Sequence, residues 1–191
     1  MSLIEKAVAA LTPSESREAR QEARAKAHTL AGPDDWLSNV LAHHRQIETA
    51  FADVKASTSE AIRLEAQRRL GVILTGHANA EESVLYPALA GISEKAHATT
   101  AYAEQAAAKT QMSVLEKLAP MSQEYLEKLE HIRDAVAHHM YEEEGTWFPE
   151  LKAKATSANQ TNLTRRYAEE FNRYVGDDAA SFKSARYARG R

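Results

Sequence analysis

The sequence has no cysteine among its 191 residues. That excludes disulfide cross-links, thiolate metal sites and a thiol nucleophile. It fits a reducing compartment, and the expected location is cytoplasmic. Aromatic residues make up only 7%, and there are seven glycines and five prolines. So few turn formers and aromatics weigh against a β-sandwich. No apolar run reaches 18 residues, so no membrane-spanning segment is expected. The opening MSLIEKAVAALTPSE carries acid early and lacks the long apolar core of a secretory signal. Positive charge is not in excess: 24 Lys and Arg stand against 27 Asp and Glu, a net charge of −3, which argues against a general nucleic-acid binder. There is no phosphate-binding glycine loop and no Ser-His-Asp arrangement, so no catalytic residue is assigned.

What is present is Ala, Glu, Leu, Lys and Arg, the composition of an all-helical protein. The length suits one domain with some decoration. Residues 2–11 read as a short helix stopped by Thr12-Pro13, and 14–28 as a polar helix, solvated or frayed. Gly32-Pro33 breaks the chain. Four longer helical patterns follow. The first runs from about Asp34 to Ala56, capped by Asp34 or Asp35, with Trp36, Leu37, Val40, Ile47, Phe51 and Val54 at helical spacing. The second runs from about Ser59 to Ala90, with Ile62, Leu70, Ile73, Leu74, Val84, Leu85 and Ala88 on one side, and Pro87 is expected to end or kink it near Tyr86. The third spans about Ser93 to Leu118, with Ala101, Ala108, Met112 and Leu115 inward. The fourth starts after Ser122 and runs to about Ala153, with Leu126, Leu129, Ile132, Val136 and Met140 as its stripe. A fifth pattern, about Leu163–Val175, presents Leu163, Tyr167, Phe171 and Tyr174. The expected architecture is all-α: an antiparallel up-down four-helix bundle over 34–154, an N-terminal helical extension over 1–33, and a C-terminal helix with a basic tail over 155–191.

The chemistry lies in polar residues set on apolar stripes. His77 and Glu81 are four apart and share the face of Leu70, Leu74 and Val84. His139 and Glu143 are four apart within the sector of Leu129, Ile132 and Val136. His44 sits between Val40 and Ile47. Three imidazoles and two carboxylates therefore point into a core. An unpartnered buried carboxylate costs several kcal/mol, which a bound cation offsets. Imidazole with carboxylate suits iron, manganese or zinc. The two pairs also repeat one pattern: His77-Ala-Asn-Ala-Glu81-Glu82-Ser-Val-Leu-Tyr86-Pro87 parallels His139-Met-Tyr-Glu-Glu143-Glu144-Gly-Thr-Trp-Phe148-Pro149.

With these motifs the sequence resembles the hemerythrin-like (HHE cation-binding) domain family over roughly residues 34–152. The resemblance implies four antiparallel helices around a non-haem metal site, commonly di-iron with carboxylate bridges. It implies His44 as the first-helix ligand, His77 with Glu81 from the second helix, and His139 with Glu143 from the fourth. It implies binding, sensing or handling of dioxygen, nitric oxide, peroxide or iron. The sequence departs from the family on the third helix, where Gln105 stands in Glu104-Gln105 at the place of an expected histidine and Lys109 at the place of a second one. Gln105 can offer only a carbonyl oxygen, so it is a candidate ligand of lower rank. The departure implies either one firmly held ion or two with the second weak and open, and it argues against stable oxygen carriage of the five-histidine kind. Two alternatives stand beside this reading: a catalase-like or oxidase-like di-iron enzyme, and a metal-poor structural bundle with a decayed site. The expected partners are a small diatomic molecule or peroxide, with no nucleic acid and no membrane, and a homodimer is a candidate assembly.

The remaining polar and aromatic residues take blander roles. His43, His131 and His138 are expected to be solvated, His28 inert, and His97 at most a substitute ligand. Glu82, Glu142 and Glu144 are expected to face outward. Tyr86, Trp147 and Phe148 are expected to close the bundle end by packing, and Tyr102 to bring a phenol near the metal only as a minor option.

Overall fold

The computed structural model describes residues 15–92 and 95–176. Three of the four bundle helices start at a side-chain cap. Asp35 Oδ1 accepts from the Ser38 amide at 2.8 Å and opens α2 (Trp36–Ala56). Ser59 caps α3 (Glu60–Ala80). The third bundle helix is α5 (Lys95–Leu115), and Ser122 caps α6 (Gln123–Glu142), its Oγ 3.1 Å from the Tyr125 amide. Before them lies α1 (Arg17–Leu30), capped by Ser16, and after them α8 (Ser157–Val175), capped by Thr156. Among the described residues there is no strand.

Before Pro87 the second bundle helix changes its hydrogen bonding and does not end. Residues Glu81–Leu85 instead form a π-turn, in which the Tyr86 N–H bonds Glu81 O, and α4 (Tyr86–Ile92) continues beyond it. The fourth bundle helix repeats the device: Glu143–Trp147 form a π-turn, the Phe148 N–H bonds Glu143 O, and α7 (Phe148–Lys154) follows. Proline has no N–H to give and its ring crowds the carbonyl four residues back. Widening the preceding turn accommodates the ring without breaking the rod. Such π-bulges recur at functional sites, and here each begins at one of the paired glutamates.

The core is the apolar stripe of these helices, with Trp36, Leu37, Ile47, Leu70, Ile73, Leu85, Tyr125, Ile132 and Phe148 buried almost completely. Ile62, expected on that stripe, is 55% exposed; Arg63 and Gln67 take the inward positions. The Arg63 guanidinium donates to Ser57 O and Pro120 O, and the Tyr125 hydroxyl donates to Gln67 Oε1, so the bundle end far from the glutamates is closed by hydrogen-bonded polar groups, with only Arg63 Nε among these atoms left without a partner. Tyr174 is likewise exposed, and Val175 packs in its stead. The C-terminal helix begins six residues earlier than its apolar pattern, because Thr156 supplies the cap.

Both outer helices cover the bundle. α8 lies along α3 and α2, and α1 lies over the second π-turn and α2. From Arg17 onward the polar segment is thus a helix packed on the bundle, burying Ala23 and Ala27. The 2–11 helix and the basic tail lie outside the described residues.

Candidate metal centre

The i, i+4 spacing on α3 and α6 turns His77 with Glu81, and His139 with Glu143, toward the bundle axis. His77 Nε2 stands 3.2 Å from Glu81 Oε2, and His139 Nε2 stands 3.3 Å from Glu143 Oε1. From α2, His44 Nε2 lies 3.2 Å from Glu143 Oε2 and 4.0 Å from Glu81 Oε1. Donor atoms of His44, His77, Glu81 and Glu143 all fall within 4.8 Å of one another. Two ligands on opposite sides of one ion at about 2.1 Å stand roughly 4.2 Å apart, so a few tenths of an ångström close this quartet on a cation. His139 joins from the other oxygen of Glu143. His44, Glu81 and Glu143 have no solvent exposure.

Three atoms at the centre lack a hydrogen-bond partner: His44 Nε2, Glu81 Oε1 and Glu143 Oε2. The 3.2 Å approach of His44 to Glu143 is close but not aligned for a hydrogen bond. Each imidazole is instead tied down by its other nitrogen. His44 Nδ1 lies 2.7 Å from Glu144 Oε1, His139 Nδ1 2.8 Å from Glu104 Oε2, and His77 Nδ1 3.1 Å from the Tyr167 hydroxyl. With Nδ1 tied outward, each ring turns its Nε2 toward the centre. This is the arrangement by which neighbouring carboxylates orient metal-binding histidines.

The protonation pattern of the cation-free site follows from the same contacts. Burial opposes charge on His44, but Glu143 and Glu144 outweigh it and raise the imidazole to about 9. Burial also opposes charge on His139, where Glu143 and Glu104 prevail and hold it well above the ordinary histidine value. Burial, then the charge on His44, keeps His77 neutral, well below that value. Burial and the Glu143 charge push Glu81 well above the carboxylate range; Glu143, although burial works against it, is held low by His139 and His44. Without a cation the site therefore stores protons on His44, His139 and Glu81.

These elements and this donor set correspond to a known sequence profile: that of the hemerythrin HHE cation-binding domain matches residues 36–151. The chain belongs to this family. A solved hemerythrin HHE cation-binding domain-containing protein from Mycobacterium kansasii superposes with a TM-score of 0.66 at 22% identity, covering 82% of this chain and 94% of that one, which shows a shared fold. A protein named DNA nickase from Nostoc sp. (strain PCC 7120 / SAG 25.82 / UTEX 2576) is 26% identical over 128 residues, 67% of this chain. The match spans only 35% of that protein's length.

Within the HHE site, several positions differ from their sequence-based expectations. Glu144 does not face outward: it is 1% exposed and holds His44 on one side and Arg24 Nε, at 3.0 and 3.1 Å, on the other. Its counterpart Glu82 is only partly buried and pairs with Lys109. The difference comes from α1, which brings Arg24 to Glu144 over the second π-turn; α8, which packs on the first, brings no such pairing to Glu82. Tyr86 is more than packing. Its hydroxyl donates to Glu143 Oε1 at 2.8 Å and lies 3.0 Å from His139 Nε2. The π-turn explains this, because i→i+5 bonding brings the fifth residue after Glu81 back over the glutamate's face. Gln105 gives both amide N–H groups away, to Glu81 Oε2 (2.7 Å) and to the Tyr86 hydroxyl (2.5 Å), so it presents its nitrogen and not its carbonyl to the carboxylates. This amide orientation is assigned from the hydrogen-bond network. Tyr102 is turned away, its hydroxyl donating to Glu82 O. His97 stacks on Trp147 and faces Glu150, outside the quartet. His43 is half-buried, stacked on Phe171 and 2.8 Å from the Tyr167 hydroxyl, while His131 is exposed. His138 pairs with Glu15, and His28 contacts Arg45.

Proposed function

We propose that this protein binds a non-haem transition-metal ion, iron first among those its donors suit, and uses it to bind, sense or handle dioxygen, nitric oxide or peroxide. The observation that carries the reading is the trio of buried, unpartnered atoms His44 Nε2, Glu81 Oε1 and Glu143 Oε2, encircled by imidazoles whose other nitrogens are anchored. A cation is the group that such a trio accommodates at least cost. His44, His77, Glu81 and Glu143 would hold the first ion. His139 and the second oxygen of Glu143 would offer a second, weaker position, since Gln105 turns an amide nitrogen toward it. Iron bound there supplies an open coordination position and redox cycling. The chain's own residues fix the imidazoles through Glu144, Glu104 and Tyr167, keep bulk water out by burial, and place the Tyr86 hydroxyl against Glu143 and His139. Imidazole and carboxylate also suit manganese and zinc.

The reading includes no nucleic-acid partner, in line with the net charge of −3. No helix among the described residues is long and apolar enough to cross a membrane. The test is elemental analysis and ultraviolet-visible spectroscopy of protein produced with ample iron, before and after peroxide. Iron at one to two equivalents, with charge-transfer bands that respond to peroxide or nitric oxide, supports the proposal. Sustained oxygen evolution from peroxide would extend it to a catalase-like enzyme. Protein that takes up no metal would leave a structural bundle.

A further inference from the structure

The His139 side of the centre has fewer donors than the other. The third bundle helix gives it no imidazole, and Gln105 turns only an amide nitrogen toward the carboxylates. One further oxygen reaches it from α4. The Tyr86 hydroxyl, on a residue with no solvent exposure, lies 2.8 Å from Glu143 Oε1, 3.0 Å from His139 Nε2 and 3.3 Å from Glu81 Oε2. His139 Nε2 and Glu143 Oε1 are themselves 3.3 Å apart.

These separations are those of ligands that share an ion. Two donors at about 2.1 Å from a metal stand roughly 3.0 Å apart at a right angle and roughly 3.4 Å apart at a tetrahedral angle. The Tyr86, His139 and Glu143 atoms make a triangle with edges of 2.8, 3.0 and 3.3 Å. A phenolic oxygen is an established iron ligand. Gln105 Nε2 donates to that oxygen from 2.5 Å, which holds it in place beside His139. Of the two aromatic residues that close the repeated motif, Phe148 packs edge-on against Trp36 and has no hydroxyl, whereas Tyr86 has one and sets it against His139.

We propose that Tyr86 is a metal ligand: its phenolic oxygen, with His139 Nε2 and Glu143 Oε1, holds a ferric ion beside the one held by the quartet of His44, His77, Glu81 and Glu143. The ion takes the place of the hydroxyl proton, which leaves to solvent. This inference rests on the metal-binding reading above and adds to it the residue that stands in for the missing third-helix histidine.

The test is iron titration of the full chain, followed by elemental analysis, visible absorption and resonance Raman spectroscopy. The ferric protein should show a phenolate-to-iron charge-transfer band in the visible. Excitation within that band should enhance tyrosine ring modes that shift when the chain is made with ring-deuterated tyrosine, a readout that needs no variant. Tyr86→Phe, which removes only the oxygen, should lose the band and hold its second iron at least tenfold more weakly, since even an outer partner of a ligand is worth about that much. Its first iron should stay bound, with circular dichroism showing the fold intact. Tyr102→Phe, whose hydroxyl is directed at Glu82 O, should keep the band and both ions. A chain that binds iron without a phenolate signal, or keeps that signal in Tyr86→Phe, overturns this inference and leaves the quartet standing. A chain that takes up no iron overturns both readings.

Discussion

Glu144 is the residue whose removal best separates a built metal centre from a chance cluster. It makes no approach to the central trio itself; it acts by holding His44 Nδ1 at 2.7 Å and Arg24 Nε at 3.0 Å. In Glu144→Gln, an amide oxygen in the Oε1 position can still accept from both donors, and the NH₂ replaces only the longer Arg24 contact. His44 then keeps its anchor but loses the carboxylate charge that favours Nδ1–H. Losing such an outer partner typically lowers metal affinity 10–100-fold, or about 1.4–2.8 kcal/mol. Glu144→Gln, which retains one acceptor, belongs near tenfold. Glu144→Ala, which also strands part-buried Arg24, belongs near a hundredfold. Glu142→Gln, two residues earlier and half-buried, should change affinity less than twofold. The assay is chelator competition with ferrous iron or zinc at fixed pH, with circular dichroism confirming the fold. Unchanged affinity in Glu144→Ala would refute the claim that anchored imidazoles make this a metal site.

Other perturbations give equally direct outcomes. His77→Ala or Glu143→Ala should abolish high-affinity metal binding while His138→Ala leaves it intact, as competition titration would show. Cation uptake must expel protons from His44, which rests at about 9, and from Glu81 and His139, which are also held protonated. Apparent affinity should therefore climb as pH rises toward about 9 and fall on acidification; a flat profile would contradict the assigned protonation. Tyr86→Phe strands a Gln105 N–H and a Glu143 oxygen, so urea denaturation of the metal-free protein should show a loss of about 1–3 kcal/mol. Gly76→Ala would set a Cβ 2.6 Å from Val175 Cγ2, and should destabilise the protein by about 1–3 kcal/mol through displacement of α8. Gly71→Ala, in open space, should stabilise it by about 0.5–1 kcal/mol in the same assay.

Periodicity made the bundle legible. His44, His77, Glu81, His139 and Glu143 could be placed inward because each lies on α-helix or at the first residue of a π-turn, where the α-helical phase still holds. Beyond that point a constant 100° per residue loses the phase, which is why Tyr86 read as packing although its hydroxyl touches the carboxylates. Glu144 and Tyr167 were hidden for another reason. Their roles depend on α1 and α8 folding over the bundle, and a helix's own pattern says nothing about which neighbour covers it. The repeat suggested equal roles for Glu82 and Glu144, but only the second is roofed by a helix carrying Arg24. Gln105 stood out by its position; the direction of its carbonyl followed from Tyr86 and so could not be read in advance.

The central claim is that a cation completes the buried trio of His44, Glu81 and Glu143. Anomalous diffraction from crystals grown with iron or zinc tests it most directly. The account predicts a peak at coordination distance, about 2.0–2.2 Å, from His44 Nε2, His77 Nε2 and oxygens of Glu81 and Glu143. Saturating metal with no peak among those atoms would contradict it.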